Sequence, residues 1–374
     1  NAPYGLTFGA FNLNGRNITF TVNNNGSGLG TLTLGSVTGN YNLTKNGSGL
    51  LFLPVAGNSG RSSVSTTLNG GILKLGNPGS LGTSGNTLTL TSGILDLAID
   101  SSVFAHNTTV NGNVTSQCDR ATANAAGITH TLGTLSIGAY SFCVTNGPNV
   151  LANSPYGLTF GATALTGNST FDVADSGTLT LGAISGNYTL TKRNHGTLKL
   201  TGVNSSTAAT TVNQGKLMGV TGGSSASSAV TLQSAFSANA VAKLGVLCAT
   251  PNGTWTCSSL TLNAVAAPAV TNPALEFAFS VPPSGTVAPL QVTGAATFTA
   301  SPSGVAVYLG SLSVTNGIYP LMTVGSATTK PVPTLTVYGG YAGSTLAWVG
   351  NTLYLTLNGS PSPIVWSTGA TGSG

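Results

Sequence analysis

The chain repeats its own opening. Asn1-Ala2-Pro3-Tyr4-Gly5-Leu6-Thr7-Phe8-Gly9-Ala10 returns at residues 153–162 with one substitution, Ser154 standing where the first copy has Ala2. A second match follows: residues 31–45 against residues 178–192, sharing Gly-Asn-Tyr and then Leu-Thr-Lys. Such a duplication marks a repeat architecture, in which one unit cannot close its own core and must stack on a neighbour. It restricts the chain to folds that grow along one axis.

The local pattern narrows this further. Short segments of alternating Leu, Val, Ile and Thr recur at residues 31–34, 50–53, 72–75, 87–90, 134–137, 178–181 and 197–200. Between them lie Gly, Asn and Ser, which accept turns and positive φ. No stretch carries a helical apolar period with caps at both ends, so the reading is all-β. Corresponding apolar positions fall about 20 residues apart, as in Leu32, Leu53, Leu73 and Leu95, which suits a β-solenoid, right-handed β-helix-like, with coils of two or three strands. Leu, Val and Ile then face inward and Thr outward.

Composition excludes several classes. Charged residues are 5% of the chain, where an ordinary soluble protein has roughly 25%. Ser, Thr, Asn and Gly must therefore carry the surface, and the alternating β-branched residues argue against disorder. No apolar run is long enough to span a bilayer. The net charge of +5 is spread thinly, only Lys192-Arg193 being adjacent, so nucleic acid is not expected as a partner. The chain begins at Asn1 with no Met and no basic-then-apolar leader, which reads as a mature secreted form.

Four cysteines form two local pairs. Cys248 and Cys257 flank a Pro251-Asn252-Gly253 turn signal, so a disulfide across a hairpin is expected there. Cys118 and Cys143 lie 25 positions apart, close to one coil, which would set them in neighbouring rungs within reach of a second disulfide. Oxidised pairs would place the protein outside the cytoplasm.

Eleven of the seventeen prolines lie from Pro268 onward, and the recognisable repeat ends near residue 265. The expected division is a first solenoid unit over 1–152, a second over 153–265, a C-terminal β-sandwich or capping β-region over 266–360, and a terminal arm over 361–374. Ile364, Val365 and Trp366 form an isolated apolar strand on that arm.

Leu190-Thr191-Lys192, then residues 196–204 (GTLKLTGVN) and 210–217 (TTVNQGKL), resemble the autotransporter-associated β-strand repeat, also called the passenger-associated transport repeat. Leu43-Thr44-Lys45 with residues 49–53 and 68–73 is a looser match, and the likeness touches about half of the chain. The resemblance implies a right-handed β-solenoid on the outside of a bacterium. The C-terminal membrane β-barrel that would accompany self-transport is not in this sequence.

Chemistry-bearing groups are sparse. The acids are Asp96, Asp100, Asp119, Asp172, Asp175 and Glu276. Asp172 and Asp175 are the nearest to a glycosidase pair, but a spacing of three along a strand points them to opposite faces. His106, His130 and His195 stand at no ligand spacing; a zinc site from His106, His130, Cys118 and Cys143 would compete with a disulfide. No nucleophile elbow, P-loop, dinucleotide fingerprint or calcium-binding nonapeptide occurs, so no cofactor or metal is expected. Asn-x-Ser/Thr sequons are frequent, including Asn17, Asn42, Asn107, Asn168, Asn187 and Asn252, and follow from composition alone. The large apolar groups outside the ladders are Tyr4, Phe8, Tyr156, Phe160, Trp348 and Trp366.

The expectation is a non-enzymatic extracellular structural protein, a subunit of a filament, sheath or matrix joined head to tail by strand addition at the solenoid ends. Asn1, Pro3, Tyr4, Leu6 and Phe8 would join to Ile364, Val365 and Trp366 of another copy. A monomeric adhesin passenger binding surface carbohydrate or host cells is the alternative, and a polysaccharide-degrading β-helix the third reading.

Overall fold

The computed structural model describes residues 1–55, 61–101, 103–233, 241–263, 273–299, 304–327 and 329–361. No helix occurs among them. The strands form one sixteen-stranded, one nine-stranded, one eight-stranded and one two-stranded sheet. One coil shows the path: Val114–Asp119 lies on the sixteen-stranded sheet, Thr129–Thr131 on the nine-stranded, Leu135–Ile137 on the eight-stranded, and Ser141–Asn146 returns to the first, parallel to Val114–Asp119. This is the expected β-solenoid.

The core follows from a period of two. In Ile72–Leu75, Leu73 and Leu75 point inward and Lys74 outward. Parallel in-register stacking then sets Leu51, Leu73 and Leu95 in one inward column and Leu53, Leu75 and Leu97 in the next. Fully burying each Leu contributes roughly 1.5–3 kcal/mol, and a one-residue slip would turn every one of them outward. The corners are held by asparagine. Asn17 Oδ1 accepts the N–H of Asn42, Asn42 Oδ1 that of Ser65, Asn107 Oδ1 that of Thr134 and Asn168 Oδ1 that of Thr189, each one coil further on. Four of the sequon asparagines are thus corner acceptors.

The ladders run through both expected boundaries. Thr129–Thr131 pairs with Tyr156–Thr159 across residue 152, and Ala242–Cys248 pairs with Ala274–Phe279 across residue 265. The described residues of 266–360 are therefore further coils with a cap, not a sandwich. The cap is antiparallel: Thr352–Leu357 reverses against Gly317–Ala327, and Thr345–Val349 reverses again, so it runs in the direction of the coils. Pro320, which has no N–H to give the ladder, sits at the register shift between Gly317–Ala327 and Thr352–Leu357.

The two copies of the duplicated phrase lie on different sheets. Tyr4–Phe8 belongs to the sixteen-stranded sheet and Tyr156–Thr159 to the nine-stranded. Leu43–Asn46 lies on the eight-stranded sheet and Leu190–Arg193 on the sixteen-stranded. The sixteen-stranded sheet places six coils between Tyr4–Phe8 and Ser141–Asn146, and the chain then advances one more face before the phrase recurs. The second copy is the first copy turned by one face about the rod.

Candidate functional site at the open coil end

Tyr4–Phe8 is the outermost strand of its sheet, paired with Gly30–Leu34 on one side only. Tyr4 is 51%, Leu6 56% and Phe8 44% exposed, although all three continue the inward-facing pattern of the coils. Phe8 packs tilted on Phe11, and Phe11 edge to face on Phe20, across the opening, with ring centroids 6.4 and 5.3 Å apart. Tyr4 is anchored by its Oη, which donates to the Asn23 carbonyl at 2.6 Å. Asn1 and Ala2 lie over Gly26 and Gly28, where a Cβ would meet them at 2.6 and 2.4 Å. Pro3 is exposed beside them.

The second copy has the same groups closed. Tyr156, Leu158 and Phe160 are at most 4% exposed. Thr129–Thr131 supplies the covering strand, with His130 opposite Leu158. Phe160 packs on Phe142 at 5.8 Å. The open end is an apolar surface whose complement exists elsewhere in the same chain.

At the other end the coil is largely shut. Leu346, Leu353, Leu355 and Leu357 of the cap are buried. Trp348 packs on Phe298 and its Nε1–H donates to the Pro331 carbonyl at 2.9 Å. Two outer edges stay unpaired among the described residues, Leu335–Tyr338 and Thr345–Val349. Ile364, Val365 and Trp366 lie outside the described residues.

Both expected disulfides are corrected, for all four thiols are free. Cys118 and Cys143 do occupy neighbouring rungs, but Cys143 stands opposite Thr115 and Cys118 opposite Asn146. An offset of three residues is roughly 10 Å along the strand and reverses the face. Cys118 instead continues the inward column above Leu97 and its Sγ–H donates to the Gly157 carbonyl at 3.0 Å. Cys248 and Cys257 are not hairpin partners, because their strands belong to the nine- and sixteen-stranded sheets. Burial pushes both thiols up to about 12, so they act as small apolar groups, not nucleophiles.

Asp172 and Asp175, which the spacing already sets apart, take different partners. Asp172 accepts from Asn194 Nδ2 at 3.0 Å, while Asp175 pairs with His195 Nδ1 at 2.8 Å. His106 and His130 are buried against the carbonyls of Asn86 and Asp119, at 3.3 and 2.8 Å.

Stacking brings together a cluster that the sequence spacing did not flag. On the outside of the sixteen-stranded sheet, Lys74 stands opposite Asp96, and its Nζ lies 2.9 Å from Asp96 and 3.3 Å from Asp119. Asp119 also accepts from the Asn149 N–H and its Nδ2. Burial raises Asp96 to about 6, against the pull of Lys74. Two neighbouring carboxyls, one of them raised toward neutrality, resemble an acid–base pair, but Asp96 is 4% exposed and Asp119 wholly buried, so no sugar ring can approach them. The cluster fastens three rungs. Its signal in the sequence was the 22-residue interval from Lys74 to Asp96, one coil length.

Two inward lysines mark the duplicated Leu-Thr-Lys. Lys45 stacks between Phe20 and Leu68, and Lys192 between Phe171 and Val212. Lys45 Nζ donates to the carbonyls of Asn46, Gly47 and Gly70 at 2.8, 2.9 and 3.1 Å. Lys192 Nζ donates to those of Arg193, Asn194 and Gln214. Burial lowers them to about 8 and about 7. Each ammonium closes a corner by donating to three carbonyls that converge there. No family model, curated protein or solved structure matches this chain.

Proposed function

We propose that the chain is a non-enzymatic extracellular structural protein, a subunit of a filament, sheath or matrix that grows by stacking coil ends. The observation that carries this is the contrast between Tyr4, Leu6 and Phe8, open at the coil end, and Tyr156, Leu158 and Phe160, buried under another coil. A covering coil would bury three large side chains, each worth roughly 1.5–3 kcal/mol, and pair a free strand edge. A second copy can present edge strands running in the coil direction, Leu335–Tyr338 and Thr345–Val349. An end-to-end contact between unlike surfaces does not close, so it builds fibres. The resemblance to the autotransporter-associated repeat agrees with a location outside the cell.

The test is electron microscopy and sedimentation of the purified chain over rising concentration. Filaments or concentration-dependent oligomers are expected, and the triple change Tyr4→Ser, Leu6→Ser, Phe8→Ser should return the protein to monomers with its melting temperature little changed. Monomers alone at high concentration would overturn the reading.

A further inference from the structure

A groove that stacking does not use runs along the rod, from the corner ahead of the nine-stranded sheet onto that sheet's outer face. Three cavities adjoin one another along the rod. The first, about 430 Å³, is lined by Asn146, Ser154, Tyr156 and Asp175 among others. The second, about 450 Å³, shares Asp175 and continues past His195 and Lys216 to Val241 and Lys243. The third, about 230 Å³, shares Val241 and Lys243 and ends at Thr336 and Tyr338. The groove therefore spans eight rungs of the nine-stranded sheet, from the rung of Tyr156–Thr159 to that of Leu335–Tyr338. At about 4.8 Å per step that is roughly 34 Å, a length suited to an extended polymer rather than a small molecule.

Its lining is specific in chemistry. Lys216 reaches across Gly245 to pair with Glu276; a Cβ at Gly245 would meet Lys216 Cδ at 3.3 Å and Met218 Sδ at 2.9 Å. His195 is paired with Asp175. Lys243, at the junction of two cavities, has no ion-pair partner among the described residues. At the far end Tyr338 stacks on Tyr308, ring centroids 4.4 Å apart and planes 1° from parallel, and is half-exposed. One unpaired ammonium, hydroxyl and amide groups, and a rigid aromatic ring laid along one line match a linear polymer with apolar ring faces and periodic carboxylates.

We propose that this groove binds an acidic linear polysaccharide, with Lys243 on a carboxylate and Tyr338 under a sugar ring. The protein is then the fibre of a composite, and the glycan runs along it. This does not depend on the end-to-end reading, because the groove lies on one chain.

The experiment is titration of the monomeric triple-serine variant with polygalacturonate, and with dextran as a neutral polymer, followed by affinity electrophoresis and calorimetry. Binding to polygalacturonate that weakens with salt is expected, with none to dextran. Lys243→Glu should weaken binding tenfold or more, Lys243→Gln and Tyr338→Ala severalfold, with unchanged circular dichroism and melting temperature. Arg16→Glu makes the same change of charge at an exposed position on the first coil and should leave binding intact. Equal loss from Arg16→Glu would reduce the binding to net charge and overturn the proposal. So would equal affinity for dextran, no binding to either polymer, or no effect of the Lys243 and Tyr338 changes.

Discussion

The first coil and its internal twin carry nearly the same residues and differ in what lies beneath them. Leu6 is more than half exposed and Leu158 is fully buried, yet both sit in the phrase Tyr-Gly-Leu-Thr-Phe. The difference vanishes one coil further in, where Leu34 and Leu181 are both fully buried, as are Lys45 and Lys192. Burial in this chain is a property of position in the stack rather than of local sequence. Each coil is completed by its neighbours, as expected of a one-dimensional architecture.

The largest test of that comparison is a matched pair of truncations. Leu158→Ala should cost about 2–5 kcal/mol in denaturant unfolding, through lost burial and a cavity, whereas Leu6→Ala in the monomer should stay within about 0.5 kcal/mol. Equal costs would mean that the first coil is closed in solution.

A smaller effect should be alike in both copies. Lys45→Met and Lys192→Met each remove three hydrogen bonds to corner carbonyls, and each should cost roughly 1–3 kcal/mol. Unfolding curves in which only one change is felt would separate the two corners and weaken their equivalence.

The same lysines predict a pH dependence. Lys192 falls to about 7 and Lys45 to about 8 when folded, against an ordinary value of 10.5. Between these values and 10.5 the unfolded chain holds protons that the folded chain has released, so stability should rise with pH across that window and fall as pH drops through 8 and 7. The double Lys→Met variant should lose this slope in melting curves recorded from pH 6 to 10.

The smallest effect concerns the corner amides. Asn168→Ala and Asn17→Ala each remove the acceptor of one inter-coil N–H, and each should cost about 1 kcal/mol by calorimetry.

Much of the fold was legible. Alternation of Leu and Thr, with Gly and Asn between, specifies strand, inward face and turn at once, because a strand has period two and a turn needs positive φ or a side-chain acceptor. The cysteines show where that reasoning stops. A spacing of 25 placed Cys118 and Cys143 in adjacent rungs correctly, yet the corner between them set a register three residues away from contact. The Lys74, Asp96 and Asp119 cluster was hidden for the converse reason: its members are far apart in sequence and meet only once coil length and register are known. Gly245, a lone glycine in a strand, gave no hint that Lys216 and Glu276 clasp across it.

By itself the sequence determined that this chain is an all-β repeat, which side chains turn inward and which residues make corners, since these depend on periods of a few residues. The tertiary structure decided which rungs meet, that the second copy is turned by one face, and that the opening phrase is exposed once and buried once. Those outcomes depend on the summed length of many corners, which no local pattern encodes.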